Sequence, residues 1–134
     1  MQADAPAAPA SKGMLWTGRV LSVLVTLSLF FSGTLKLMKH KTVMDEFTRF
    51  DYPESVVLGI GITEIACAVI YLIPQTAVLG AILLTGYLGG ATATHVRIGD
   101  SYYSPIIMGV VLWIALWLRE PRLRALAPLR RLDY

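Results

Sequence analysis

Glu64 has the clearest chemical potential in this sequence, because it lies in the middle of an otherwise uncharged apolar run. The run covers residues 56–73 and ends at Pro74. As a helix, these 18 residues span ~27 Å, close to the thickness of a bilayer core. A carboxylate facing lipid there costs at least ~2.5 kcal/mol. We therefore expect Glu64 to face protein, to be protonated at neutral pH, and to relay protons or bind a ligand. The alternative is a structural carboxyl that joins two helices.

Three further residues are candidates for ligand binding or proton relay. Tyr71 lies two turns after Glu64 on the same helix face, where its hydroxyl can form a hydrogen bond. His95 lies near the end of a later apolar run, and its alternative role is contact with headgroups and water. Lys36 ends the first apolar run, where it snorkels to the interface, binds an anionic ligand, or pairs with Asp100. No lysine or arginine is predicted at the depth of Glu64.

The sequence predicts no metal site and has no independent catalytic motif. The two histidines, His40 and His95, and the single cysteine, Cys67, lie on different predicted elements. A metal site of the usual kind needs three or four ligands close together. One cysteine excludes an intrachain disulfide and dithiol chemistry. No catalytic residue is assigned from these patterns.

Composition places the chain among membrane proteins. Its 134 residues have room for one domain, with 55% hydrophobic and only 16% charged residues. The formal net charge of +3 comes partly from an arginine-rich tail, without a basic face interleaved with aromatic residues. We therefore expect a lipid bilayer as partner and no nucleic acid.

Four apolar segments predict an all-α, polytopic membrane four-helix bundle. The predicted spans cover approximately residues 14–35, 56–73, 76–96 and 102–118. Residues 42–50 carry apolar side chains at helical spacing, which predicts a short interfacial helix between the first two spans. Residues 1–13 are predicted to be a disordered leader, and residues 119–134 a basic tail.

Glycines at helical spacing predict contacts between spans. Gly61 lies on the Glu64 face of the second span, and Gly86 and Gly90 form a GxxxG pair in the third. Small residues at such positions let two helix backbones approach closely. We therefore predict helix packing at all three glycines.

The distribution of lysine and arginine predicts the orientation. With four spans, both termini lie on the same side, together with seven cations, whereas the opposite loops hold five. Cytoplasmic loops carry the excess of these residues, so both termini are predicted to be cytoplasmic.

Several segments resemble the DoxX-like family of membrane proteins. The similarity is carried by residues 31–37 (FSGTLKL), 47–53 (FTRFDYP), 61–64 (GITE) and 90–100 (GATATHVRIGD), and it extends over residues 14–118. The sequence departs from the family at Asp51, where a glycine usually precedes Tyr-Pro. The resemblance implies a four-helix bundle in the inner membrane, and it carries over Glu64, His95 and Lys36 as positions of interest.

The resemblance also implies a class of function. Some members of the family are named as the quinone-reducing membrane part of sulfur-compound oxidation or are linked to oxidative-stress complexes. We therefore expect an accessory membrane subunit of a redox system that holds a quinone-like ligand, with a redox protein or a second copy of the chain as partner. Two alternatives stay open: a module that binds or transports a small solute or protons, and a structural membrane anchor.

Overall fold

The computed structural model describes residues 9–127. Residues 1–8 of the predicted leader and 128–134 of the predicted basic tail lie outside the described residues. Within the described part the chain is helical and contains no strand. The helices are α1 Lys12–Leu37, α2 Lys41–Arg49, α3 Val57–Leu72, α4 Ala77–Arg97, α5 Tyr103–Arg119 and α6 Pro121–Leu126.

Three of these helical segments are long and apolar enough to cross a membrane. They are α1, Glu54–Leu72 (α3 with its preceding 3₁₀ turn) and Pro74–Arg97 (α4 with its preceding turn). The apolar helix α5 is shorter, with 17 residues. The predicted all-α, polytopic membrane fold is confirmed, and the span made by α5 stays a prediction.

The long helices form a ring in which α1 contacts α3 and α5, and α4 contacts the same two helices. We call the end of the ring where α3 turns into α4 the turn end, and the opposite end, which carries α2, the loop end. The apolar core includes Val25, Leu84, Leu112 and Leu116. Large apolar side chains such as Phe31, 69% exposed, face outward, as a lipid-facing surface requires.

Two of the buried glycines bring α1 close to its neighbours. A Cβ at Gly18 would lie 2.8 Å from the Ala115 carbonyl oxygen on α5. A Cβ at Gly61 of α3 would lie 2.8 Å from Cβ of Lys36 on α1. In contrast to the sequence prediction, Gly86 and Gly90 make no such contact, and a Cβ at either would meet no atom within 4 Å.

The helices that end at the loop end share one type of C-terminus. α1, α2 and α4 are followed by Lys39, Asp51 and Gly99, whose φ values are +51°, +60° and +71°. Backbone hydrogen bonds from the residues that follow reach back into the last turn, for example from the Tyr52 N–H to the Phe47 carbonyl at 3.0 Å. Asp51 therefore adopts the left-handed conformation that a glycine would adopt more easily.

Candidate functional site

A pocket of about 610 Å³ lies in the loop-end half of the ring. Helices α1, α3, α4 and α5 all contribute to its walls, and α2 covers it. Its lining combines charged and polar groups with apolar and aromatic side chains. Its polar, aromatic and glycine residues include Ser28, Ser32, Lys36, Glu46, Phe47, Phe50, Tyr52, Glu64, Gly86, Tyr87, Gly90, Thr94, His95 and Ser104.

An ion pair between Lys36 and Glu64 forms part of the pocket wall. The Lys36 ammonium lies 2.7 Å from Oε2 of Glu64 and donates a second hydrogen bond to the Ser32 hydroxyl at 2.6 Å. The side chains are 12% and 3% exposed, so the pair is largely withdrawn from solvent. The expectation that no cation lies at the depth of Glu64 is wrong, and with it the argument for a protonated, unpaired carboxyl.

The directions of the helices explain how this pair forms. Side chains lean toward the N-terminus of their own helix. Lys36 lies near the C-terminus of α1, so its long side chain leans into the membrane, whereas Glu64 on α3 leans toward the loop end. Because the two helices run in opposite directions, the charged groups approach each other. Gly61 contributes by leaving room for the stem of Lys36.

Tyr87 is a pocket residue that the sequence analysis missed. It lies on α4 and lines the pocket together with Glu64. The pocket wall therefore contains the Lys36 ammonium, the Glu64 carboxylate and the Tyr87 phenol. A tyrosine inside an apolar helix resembles ordinary packing in the sequence, and only its position opposite Glu64 distinguishes it.

His95 lines the loop-end part of the pocket. Its ring packs against Phe50 of the α2 segment, by which we mean α2 together with residues 50–52 that follow it. The two ring centroids are 5.1 Å apart. Its Nδ1 atom is buried and has no hydrogen-bond partner among residues 9–127. On α4, His95 follows Tyr87 by eight residues, or ~12 Å along the helix axis. The pocket therefore has polar groups at two depths.

Side-chain contacts hold the α2 segment over the pocket. Arg49 forms an ion pair with Asp100 at 2.7 Å, and the Tyr52 and Thr94 hydroxyls lie 2.8 Å apart. Arg97 donates a hydrogen bond to the Phe50 carbonyl. The expected alternative of a Lys36–Asp100 pair is not observed, because each of the two residues pairs with a different partner. These contacts attach the end of the α2 segment to α4 and to the turn that follows it.

Tyr71 does not line the pocket, although the sequence made it a candidate. It is completely buried in the turn-end half, where its hydroxyl donates a hydrogen bond to the Leu112 carbonyl at 2.7 Å. The Ser22 hydroxyl lies 3.4 Å from the same oxygen, and the Arg119 guanidinium lies over the ring at 5.1 Å. The tyrosine therefore joins three helices.

Cys67 is buried as a free thiol in the apolar core. In the described part of the chain, no three histidine, cysteine, aspartate or glutamate residues are grouped so that they can hold a metal ion. The polar groups of the pocket are an ion pair, a phenol and an imidazole, and apolar walls border them.

The model of the DoxX-like family matches residues 20–118. No curated protein and no solved structure matches the chain.

Proposed function

The chain belongs to the DoxX-like family, and from this premise we propose that it is an accessory membrane subunit of a redox system whose pocket binds a quinone-like ligand. The single observation that carries the proposal is the pocket of about 610 Å³ with polar groups at two depths and apolar walls between them. Pockets for small ligands usually measure ~300–1,000 Å³ and combine apolar walls with a few oriented polar groups.

The residues of the pocket suit a flat ring with oxygen substituents. Lys36 has three N–H donors, of which Ser32 and Glu64 accept two, so the third can donate to a ligand oxygen. His95 offers Nδ1, which lacks a partner among the described residues. Phe50 and Phe47 provide aromatic surface against which a ring can stack.

A bound quinone would supply two-electron, two-proton redox chemistry. The chain's own contribution is to bind the ring, to exclude water beneath α2, and to hold protons at defined atoms. In this proposal Lys36 Nζ donates the hydrogen bond at the inner end of the pocket, and Glu64 keeps that ammonium in place. His95 Nδ1 forms the hydrogen bond at the loop end. Tyr87 orients the Glu64 carboxylate.

Mass spectrometry of the lipid extract from protein purified in mild detergent tests this function. We expect a quinone at close to one copy per chain in the wild type, and a loss of most of it in Lys36→Met. A matched control is Lys39→Met, because Lys39 pairs with Glu54 on the exposed surface and does not line the pocket. Equal quinone content in an unrelated membrane protein prepared in the same way contradicts the proposal.

A second candidate function is the binding or transport of a small polar solute or protons. It is favoured by the largely buried Lys36–Glu64 pair, since ionisable residues within membranes commonly mark such pathways. Solute or proton flux into vesicles that contain the purified protein, abolished by Glu64→Gln, would favour it. The third candidate, a structural anchor, predicts an unchanged phenotype when Glu64 and His95 are both replaced.

We also propose that the chain has four spans, lies in the inner membrane and has both termini in the cytoplasm. These assignments rest on the family, on the apolar surface of α5, and on the arginines at and beyond the end of that helix. Residues 14–118 then form the membrane bundle, with a redox protein or a second copy of the chain as partner. Reporter fusions after Tyr134 and within α2 test the orientation, and a reporter that is active outside the cytoplasm at Tyr134 contradicts it.

A further inference from the structure

The pocket reaches the surface of the bundle at two glycines of α4. Gly86 and Gly90 line the pocket, and both are exposed. A Cβ at either position would meet no atom within 4 Å. The two glycines are four residues apart, so they lie one above the other on the same helix face, separated by ~6 Å. Because neither residue has a side chain, the pocket lining is open to the outside at these two positions, which together we call the slot.

Contacts made by neighbouring residues place this slot on the α3 side of α4. Thr94, one turn beyond Gly90 on the same face, forms a hydrogen bond with Tyr52, which precedes α3. Gly80, seven residues before Tyr87 and therefore on the same face of α4, packs against the Tyr71 backbone of α3. The other edge of α4 faces α5, where the Trp113 indole donates a hydrogen bond to Thr85 at 2.8 Å. The slot therefore opens between α3 and α4.

The surface around the slot is apolar. Ile82 and Leu83 on α4 and Ile62 and Val69 on α3 are all exposed. These helical segments are long and apolar enough to cross a membrane, so the slot opens toward lipid. At the loop end, by contrast, the α2 segment covers the pocket and is held there by the Arg49–Asp100 ion pair.

We propose that the ligand enters the pocket laterally from the bilayer through this slot, and that the ligand carries an apolar chain. This inference rests on the proposed function and narrows its ligand class to a polar ring with a hydrocarbon tail. The ring lies between the Lys36–Glu64 pair and His95, and the tail leaves between Gly86 and Gly90 into lipid. Gly86 and Gly90 are thus residues that determine specificity for the tailed ligand.

Two other edges of the pocket contain exposed residues and define the competing routes. Ser28 and Ser104 lie on the neighbouring helices α1 and α5. Glu46 lies on α2 at the loop end, where a ligand would arrive from water. These edges carry side chains, whereas the slot positions, Gly86 and Gly90, have none.

Equilibrium binding to protein in lipid nanodiscs tests the inference. The probes are a tritiated benzoquinone with a decyl chain, detected by scintillation proximity, and the unlabelled ring with a methyl group instead of the chain, used as a competitor. The variants are Gly86→Leu and Gly90→Leu. Gly89→Leu is the matched control, because Gly89 is the adjacent glycine on the same helix, is exposed, and does not line the pocket.

We expect Gly86→Leu and Gly90→Leu to weaken binding of the tailed ring by about tenfold, because leucine occupies the path of the tail. The ring without a tail should bind each variant within about twofold of the wild type, and Gly89→Leu should change neither affinity. The melting temperatures of the three variants show whether each leucine is compatible with folding.

Three results overturn the inference while leaving the proposed function intact. They are unchanged binding of the tailed ring by both slot variants, equal losses for the two rings, and a loss caused by Ser104→Leu instead of Gly90→Leu. If the wild type binds neither ring, the proposed function itself fails.

Discussion

The two halves of the bundle contain similar polar residues but use them differently. In the turn-end half, the Tyr71 hydroxyl has its partners within the chain, at Leu112 and Ser22, and the tyrosine is completely buried. In the loop-end half, Lys36 and Glu64 pair at the wall of a pocket of about 610 Å³. Polar groups in apolar helices thus either join helices or line a pocket, and only the second arrangement leaves room for a ligand.

Glycine placement accounts for much of this difference. Gly80 packs directly against the backbone of Tyr71, so α3 and α4 lie close together at the turn end. Further along α4, Gly86 and Gly90 have no neighbour at the position of a Cβ. Glycine therefore brings α3 and α4 together at the turn end, whereas further along α4 it lies on an open face of the helix.

The largest expected effect on stability comes from breaking the Lys36–Glu64 ion pair in the loop-end half. Lys36→Met leaves the Glu64 carboxylate buried without its cation, so the free energy of unfolding should fall by about 3 kcal/mol. The double variant Lys36→Met/Glu64→Gln should recover most of this loss, because no buried charge is left unpaired. Reversible unfolding in mixed micelles measures both values. Equal losses in the single and double variants would show that the pair is not the cause.

The next prediction compares the free energy of unfolding after substitution of two glycines of α4. Gly80→Ala should lower the free energy of unfolding by about 2 kcal/mol, because the added methyl group overlaps the Tyr71 backbone. Gly89→Ala should raise it by up to about 1 kcal/mol, because alanine favours helix and the position is open. The same mixed-micelle unfolding measures both. If both substitutions change the free energy of unfolding in the same direction, the contrast between the two halves is wrong.

Substitution of Tyr71 should change the stability of the fold, whereas substitution of Tyr87 should change ligand binding. Tyr71→Phe should lower the free energy of unfolding by about 1 kcal/mol, because the Leu112 carbonyl loses its donor, and quinone affinity should stay unchanged. Tyr87→Phe should weaken quinone binding by about fivefold while changing stability by less than about 1 kcal/mol. Nanodisc binding and micelle unfolding of the two variants provide the readouts. A binding defect in Tyr71→Phe would extend the site into the turn-end half.

The smallest effect concerns a helix end beside the pocket. Asp51 has φ +60°, so Asp51→Gly should relieve backbone strain and raise the free energy of unfolding by about 0.5 kcal/mol. Gly99→Asp is the reciprocal control at a residue with φ +71° and should lower it by a similar amount. Both are read from the melting temperature. A lower melting temperature for Asp51→Gly would mean that the Asp51 side chain stabilises the turn.

Length, hydropathy and helical spacing in the sequence were sufficient for the membrane class, the all-α fold and the short helix α2. The predicted segment 42–50 differs from α2, Lys41–Arg49, by one residue at each end. Such properties follow from the solvent and from local periodicity, so they can be read before any contact is known. The sequence also singled out Glu64, His95 and Lys36, because charged and titratable residues are rare in apolar helices.

The partners of these residues were decided by the tertiary structure. Depth counted along the chain placed Lys36 at the surface, whereas side-chain direction on two antiparallel helices brought its ammonium to Glu64. Tyr71 and Tyr87 are the same residue type within apolar helices, and only packing placed one in the core and the other at the pocket. The GxxxG spacing likewise showed that Gly86 and Gly90 share a face, but the rotation of α4 against its neighbours determined that this face meets no helix. Helix rotation and stagger depend on contacts distant in sequence, which local periodicity does not contain.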